Sequence, residues 1–287
     1  MMTMWTEDGL DAAICVACST QFPADAGIPA VCPICADDRQ YIPEGGQRWT
    51  TLRAELGHHH NVFEEVEAGV ARIATAPTFG IGQHAWLIET AECRMLWDLV
   101  GYVDETTIAG IERHGDVDAI AISHPHYYST MVEWSHALGD VPILLHEANR
   151  QWVVRQDARV RYWSGDTLHP CVGVTLIRTG GHFPGGNVLH VDGGAHPHDA
   201  GLLFVGDIMQ VVADRHMVSF MHSYPNSIPL DSGSVRRIAD MVKPYEFDRI
   251  YGAFSGGVVP DRGSEVVQES AERYIRYVTA DSETTIS

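Results

Sequence analysis

The sequence predicts a layered α/β sandwich that follows a small, separate cysteine-rich unit. Its 287 residues are enough for one large domain with an appendage. Four of the six cysteines fall within the first 38 residues, where helical periodicity is weak. From about Val62 onward, short β-rich runs come first and strand–helix alternation follows. A doubly wound parallel fold would alternate from its start, so this order favours a sandwich.

Composition and charge narrow the class of protein and its partners. Apolar residues make up 45% of the chain and charged residues 20%, as in ordinary globular proteins. No run approaches the roughly 20 apolar residues of a membrane-spanning helix. The first ten residues lack the basic region of a secretory signal, which predicts a cytoplasmic location. The formal net charge of −19 argues against a nucleic-acid partner, because acidic surfaces repel phosphates.

We predict three segments along the chain. Residues 1–40 form a four-cysteine zinc-binding unit, residues 41–60 a turn-rich linker, and residues 61–287 the large domain. Period-two and buried runs predict strands near Ala71–Thr75, Ala85–Glu89, Arg94–Trp97, Ala119–Ser123, Pro142–Leu145, Val174–Arg178, Val188–Val191, Leu202–Val205 and Arg249–Tyr251. Helical spacing of apolar residues predicts helices near Asp104–His114, Thr130–Leu138, Ser234–Val242 and Ser264–Thr279.

The spacing of the first four cysteines predicts a closed zinc site. Cys15 and Cys18 form one CxxC pair, and Cys32 and Cys35 form a second pair after thirteen residues. Each pair folds as a tight turn that directs two thiolates at one point, so two pairs complete a tetrahedron around zinc. The second pair resembles a knuckle of a rubredoxin-like zinc ribbon. Metal-free cysteines and an iron–sulfur site are the alternatives. A closed site of four thiolates has no open position, so we assign its zinc to folding.

Histidines and a carboxylate follow three of the predicted strands. His124 and His126 come after the strand that ends at Ser123, and imidazoles at i and i+2 on an extended segment point the same way. His182 lies on a glycine-rich loop after a second strand, and Asp207 ends a third. Side chains at the ends of neighbouring strands meet at one sheet edge. The pattern predicts a metal site there, formed by His124, His126, His182 and Asp207.

These motifs resemble those of the metallo-β-lactamase superfamily over most of residues 60–280. The resemblance consists of His124-x-His126 after an apolar strand, Gly181-His182-x-Pro184-Gly185, and Gly206-Asp207. It implies an αββα four-layer sandwich with metal at one edge of the two sheets. The four-cysteine unit lies outside the resemblance. An early strand ending in Asp98 also matches, and we expect this aspartate to stabilise the site through hydrogen bonds.

The sequence departs from the family at the ligands of a second metal. The family continues after the second histidine with x-Asp-His, where this chain has Tyr128 and Ser129. The family's late histidine is missing from Tyr251–Ser255. We therefore expect a single metal in the large domain. Three neutral imidazoles with an open position suit zinc, and iron is the alternative.

Asp207 and Tyr128 are the candidate catalytic residues. Asp207 is either the fourth metal ligand or a base that orients water. Tyr128 stands where the family has a ligating aspartate, so its phenol could donate a hydrogen bond to a developing oxyanion, or fill the unused second site. His222 and Tyr224 are candidates for the pocket wall.

The remaining cysteines and several histidines are predicted to be structural. Cys93 and Cys171 stand alone inside apolar runs and are interpreted as small buried side chains. His190, His196 and His198 lie near a predicted turn and are interpreted as facing solvent.

The resemblance implies a metal-dependent hydrolase with a small-molecule substrate. Hydroxide on a single zinc would cleave an ester, thioester, amide or similar bond. One alternative is an iron oxidoreductase like the persulfide dioxygenases, with His124, His182 and Asp207 as ligands, although those enzymes usually retain the Asp-His continuation. The other is a catalytically inactive, zinc-stabilised binding module. The sequence specifies neither the substrate nor the oligomeric state.

Overall fold

The structure is a computed structural model that describes residues 4–195, 197 and 200–279. They form an N-terminal unit and an αββα sandwich, which confirms the predicted fold class. No helix within these ranges is long and apolar enough to span a bilayer. His196 and His198 lie outside the described residues.

The N-terminal unit is organised around the four clustered cysteines. Its elements are β1 (Ile14–Cys15), α1 (Pro33–Ala36), β2 (Trp49–Thr50) and α2 (Leu52–Glu55). β1 pairs with β2 in antiparallel fashion, so part of segment 41–60 completes a small sheet with the cysteine region. Phe22 packs edge-on against Trp49 at a ring-centroid distance of 5.2 Å and helps to cover the cluster.

A seven-stranded sheet forms the first half of the sandwich. Its strands and helices are β3 (His60–Glu67), β4 (Val70–Ala76), β5 (Ala85–Glu89), β6 (Arg94–Trp97), α3 (Glu105–Glu112), β7 (Ala119–Ala121), α4 (Met131–Ala137), β8 (Ile143–His146) and β9 (Val160–Trp163). The strands lie in chain order from β3 to β9. Pairing is antiparallel up to β6 and parallel from β6 to β9. Asp104 caps α3 by accepting a hydrogen bond from the Thr107 amide at 2.7 Å.

A six-stranded sheet forms the second half. The elements of this part of the chain are β10 (Thr167–Cys171), β11 (Val174–Arg178), β12 (Asn187–Val191), β13 (Leu202–Gly206), β14 (Gln210–Val211), β15 (Val218–Ser219), β16 (Met221–Ser223), β17 (Ile228–Pro229), α5 (Ser232–Val242), β18 (Arg249–Gly252), β19 (Val258–Val259) and α6 (Gly263–Thr279). The sheet order is β10-β11-β12-β13-β18-β19, with β13 and β18 parallel. The short strands β14 to β17 form two hairpins outside this sheet.

The hydrophobic core lies in three layers. Trp86 and Trp97 of the first sheet pack against Leu189, Phe204 and Tyr251 of the second. The outer face of the first sheet is covered by α3 and α4, and that of the second by α5 and α6. The apolar faces of the amphipathic helices therefore cover the outer faces of both sheets, as a four-layer arrangement requires.

Two predictions about single residues are wrong. Cys93 and Cys171 are not separate buried side chains but form a disulfide across 78 residues of sequence. Cys93 precedes β6 in the first sheet and Cys171 ends β10 in the second, so the packing of the sheets brings them together. His190 is buried and not solvent-facing, and its Nε2 donates to the Glu246 carbonyl at 2.9 Å.

Candidate metal centres

The first candidate metal centre is the buried cysteine cluster. The Sγ atoms of Cys15, Cys18, Cys32 and Cys35 lie within 4.8 Å of one another. Two of the separations are 3.6 Å, and the edge of a tetrahedron with Zn–S bonds of about 2.3 Å is about 3.8 Å. The Gln47 amide braces the cluster, because its Nε2 donates to Cys15 Sγ and its Oε1 accepts from the Cys32 amide, both at 3.1 Å. The cluster fits a closed, four-coordinate ion.

The second candidate metal centre lies at one edge of the two sheets. The ligand atoms of His124, His126, His182 and Asp207 lie within 4.8 Å of one another, and all four side chains are buried. His182 Nε2 is 3.3 Å from His126 Nδ1, and His124 Nε2 is 3.4 Å from Asp207 Oδ2. Zinc with bonds of about 2.0–2.1 Å places neighbouring tetrahedral ligands about 3.3 Å apart. The four predicted ligands therefore converge at a spacing that fits a single ion.

The two histidines of the first motif converge in an unexpected way. His126 does not continue an extended segment, because Pro125–Tyr127 forms a turn of 3-10 helix. The rings nevertheless meet, with 4.8 Å between the centroids of His124 and His126. The turn leads His126 to present Nδ1 to the site, whereas His124 presents Nε2.

Hydrogen bonds fix the ring orientation of two ligands. The backbone amide and hydroxyl of Ser123 both donate to Asp98 Oδ1 at 2.7 Å. The hydroxyl therefore accepts from His124 Nδ1, 2.8 Å away, which leaves the Nε2 lone pair for an ion. In the same way, His182 Nδ1 donates to the Met221 carbonyl at 3.1 Å and presents Nε2. Asp98 thus supports the site indirectly, through Ser123.

Burial sets the protonation states of these groups. It lowers the pKa of His126 to about 4 and that of His182 well below its usual range, so both imidazoles are neutral near pH 7. Burial raises the pKa of Asp98 to about 8, against the opposing Ser123 hydrogen bonds.

A buried ligand nitrogen without a hydrogen-bond partner is consistent with a bound ion. His124 Nε2 is fully buried and has no hydrogen-bond partner among the described residues. An unpaired buried nitrogen is destabilising unless an ion or water contacts it. Gly206 allows the end of β13 to approach Ser123, because its φ is +52° and a Cβ there would lie 2.5 Å from Ser123 Oγ. Three imidazoles and a carboxylate suit zinc, or iron.

Tyr128 does not line the cavity above the second centre, so its role as a catalytic residue stays a prediction. Its side chain is buried in the core below α4, beside Met131 and Val132. The preceding Tyr127 is at the site instead, and its hydroxyl donates to Asp207 Oδ1 at 2.5 Å. The turn at Pro125–Tyr127 decides which tyrosine faces the ligands, and two adjacent tyrosines give no sign of this in the sequence.

A cavity of about 280 Å³ lies over the second centre. Tyr224 lines it as predicted, with its hydroxyl donating to the Asp207 carbonyl at 3.2 Å. His222 points elsewhere and contacts Asp38 Oδ1 of the N-terminal unit at 3.1 Å. Arg39 and Gln40 of that unit also line the cavity, and no motif in the sequence pointed to them.

Comparisons with known proteins give one relative with high identity and several structural neighbours. The chain is 46% identical over 270 residues to a Bacillus subtilis (strain 168) protein described as "Uncharacterized protein YmaE", and the match covers 93% of this chain and 97% of that protein. No protein-family model matches. One structural neighbour is VMB-1, with a TM-score of 0.58 and 12% identity over 76% of this chain and 98% of that chain. Another is the DIM-1 metallo-β-lactamase, with a TM-score of 0.56 and 14% identity over 75% of this chain and 98% of that chain. A metallo-β-lactamase from Pontibacter korlensis gives 0.54, with 14% identity over 75% of this chain and 99% of that chain. Identities this low show a shared fold.

Proposed function

This chain belongs to the family of the Bacillus subtilis protein YmaE and has the metallo-β-lactamase fold, and from this we propose that it is a metal-dependent hydrolase. The observation that carries the proposal is the convergence of His124, His126, His182 and Asp207 under an open cavity. The large domain would hold one zinc ion at this centre. A second zinc, in the cysteine cluster, would stabilise the fold.

The side chains around the centre suit hydrolysis of a small molecule. Zinc on three imidazoles acts as a Lewis acid and lowers the pKa of bound water to about 7. Asp207 Oδ2 faces the imidazoles of His124 and His126, so it is available as a ligand or as an acceptor for the proton of water. Tyr127 holds the other oxygen of this carboxylate and so fixes its orientation. Ile81 and Phe254 supply apolar walls of the cavity, which favour an organic substrate.

Several contacts support a single metal in the large domain. Tyr128 and Ser129, at the positions where the superfamily has its Asp-His pair, contact other parts of the protein. Ser129 Oγ lies 3.0 Å from Ser19 Oγ, and its carbonyl accepts from the Gln21 amide at 3.1 Å. Among the described residues, groups of three or more potential ligands occur only at the two centres above.

The iron oxidoreductase alternative receives less support from the geometry. Two histidines and one carboxylate are enough for such an iron site. Here a third imidazole points inward, because His126 Nδ1 is 3.3 Å from His182 Nε2. Three inward-facing imidazoles favour zinc.

The test is an activity panel on protein of known metal content. Zinc-loaded protein is assayed on aryl esters, thioesters and lactones, and iron-loaded protein is assayed for persulfide consumption under air. We expect hydrolysis of at least one panel member, lost in His182→Ala and kept in His216→Ala, which changes an exposed histidine. Oxygen uptake with iron and no hydrolysis with zinc would instead favour the oxidoreductase. Inactivity in both assays at full metal occupancy would favour the binding module.

A further inference from the structure

One wall of the cavity over the second centre belongs to the four-cysteine unit and not to the sandwich. Arg39 follows the second cysteine pair, and its Nε donates to the His182 carbonyl at 2.6 Å. Its guanidinium also lies 4.5 Å from the centroid of the Phe183 ring. Because His182 is itself a candidate metal ligand, the unit is attached directly to the loop that forms the centre.

The chain next to Arg39 is held on its other side by the β16–β17 hairpin. The Ser223 hydroxyl donates to the Arg39 carbonyl at 3.0 Å. The Asn226 amide donates to the carbonyls of Asp38 and Gln40, at 3.0 and 2.9 Å. These contacts fix the backbone of residues 38–40 from both sides, so the side chain of Gln40 is carried into the cavity on a rigid support.

The side chain of Gln40 is buried but makes few hydrogen bonds. Only 9% of the residue is exposed, and its Nε2 lies 3.5 Å from His126 Nδ1. Among the residues that the structure describes, this is the one hydrogen-bond contact of its carboxamide. With an ion bound, His126 Nδ1 directs its lone pair to the ion and cannot accept from this amide. The Gln40 amide is then a buried donor next to the ligand sphere, without a protein acceptor.

We propose that Gln40 is a substrate-binding residue supplied by the four-cysteine unit. Its amide donates a hydrogen bond to an oxygen of the molecule held at the second centre, as a carbonyl next to a scissile bond would present. The inference rests on the proposed function of that centre. It gives the four-cysteine unit a role in recognition as well as in folding, and it selects substrates with an oxygen acceptor beside the reacting atom.

The test uses the full chain with cobalt(II) at the second centre and acetohydroxamate as the probe. This probe binds the ion through oxygen and offers an acceptor to a neighbouring amide, and its binding changes the visible absorption of the cobalt. Gln40→Met keeps the length and packing of the side chain but removes its hydrogen bonds. We expect it to retain cobalt and to bind acetohydroxamate about tenfold more weakly, as for the loss of one hydrogen bond. Gln151→Ala, which changes an exposed glutamine, should bind like the wild type.

A second variant tests the support of Gln40 without touching its side chain. Asn226→Ala removes the two hydrogen bonds to the carbonyls of residues 38 and 40, so acetohydroxamate binding should weaken several-fold while cobalt content stays unchanged. Wild-type affinity in cobalt-loaded Gln40→Met would overturn the inference.

The same experiment separates this inference from the proposed hydrolase function. If the wild-type second centre takes up no cobalt, the role of Gln40 and the hydrolase function are both rejected. If it binds cobalt and acetohydroxamate but zinc-loaded protein hydrolyses nothing, the hydrolase proposal falls, and the affinity ratio still decides the role of Gln40.

Discussion

The two carboxylate oxygens of Asp207 have different surroundings. Oδ1 accepts a hydrogen bond from Tyr127, whereas Oδ2 faces His124 and His126 at 3.4 and 3.8 Å. One oxygen is therefore fixed by the protein and the other is available to an ion or to water. This arrangement allows Asp207 to act either as a fourth ligand or as a positioned base. A substitution that removes its charge and keeps its shape tests the contribution of the charge.

Replacing Asp207 by asparagine removes the charge and keeps the shape. We expect Asp207→Asn to retain part of the metal, because three imidazoles remain, while turnover falls by about a hundredfold or more, as for a lost general base. Metal analysis with kcat and KM on the best panel substrate measures both effects. Tyr127→Phe is the milder companion, since it only frees the carboxylate. Wild-type turnover in Asp207→Asn would remove this residue from the chemistry.

His84 is a buried histidine outside both metal centres. It is 4% exposed, its Nδ1 has no partner among the described residues, and its Nε2 lies 3.3 Å from Ser255 Oγ. Burial, assisted by the charge of Arg72, lowers its pKa to about 4. Protonation is thus easier in the unfolded chain, where the pKa of histidine is about 6.5.

The depressed pKa of His84 predicts how stability changes with pH. Its contribution is fully present above about pH 6.5 and is lost as the pH falls towards 4, because the unfolded state then binds the extra proton. For these pKa values, the free energy of unfolding should drop by about 2 kcal/mol between pH 7 and pH 5 from this residue alone. Urea unfolding at both pH values should show a smaller drop in His84→Gln than in the wild type. An equal drop in both would contradict the assignment, and exposed His216→Gln is the control.

At the scale of elements, α4 and the turn before it form the docking site of the N-terminal unit. Glu133 of α4 is fully buried and accepts hydrogen bonds from the Thr6 amide and hydroxyl, at 2.9 and 2.8 Å, and from Arg155 at 2.6 Å. Ser129 pairs with Ser19 of the same unit. Ser129 and Glu133 therefore hold the four-cysteine unit in place, which gives a physical reason why this chain lacks the Asp-His pair of the superfamily that it resembles.

The cysteine cluster should determine the stability of that unit. In Cys18→Ser or Cys32→Ser, a hydroxyl replaces one of four thiolates, and we expect loss of about one zinc per chain with lower thermal stability and solubility. In small metal-bound units the free energy of metal binding is also free energy of folding. Metal analysis and thermal unfolding measure both effects. Cys93→Ser, outside the cluster, should keep its metal. Full metal content and stability in the cluster variants would contradict a structural zinc.

For the whole molecule, the sequence was most informative where buried strands end in polar side chains. β13 is buried along its length and stops just before Asp207, so both the strand and the carboxylate were predictable. The same holds for β7, His124 and His126. A fully apolar run is readily recognised as a buried strand, so the polar residues that follow it are expected at the end of that strand.

Features that depend on long-range docking were not predictable. β3 was missed because most of its residues are exposed and glutamates interrupt its apolar residues, so it lacks the apolar pattern of a buried strand. Arg39 and Gln40 reach the second centre only because the four-cysteine unit packs beside it, and no local pattern records that contact. The bond between Cys93 and Cys171 likewise depends on how the two sheets meet.

We propose that the chain holds one ion in each of two separate centres. Native mass spectrometry of zinc-loaded protein, after weakly bound metal has been removed, measures the number of ions per chain directly. We expect two zinc ions in the wild type, one in His182→Ala and two in His216→Ala. Three ions per wild-type chain, with two of them lost together in His182→Ala, would show a paired-metal centre with ions about 4 Å apart and would contradict the single-metal assignment.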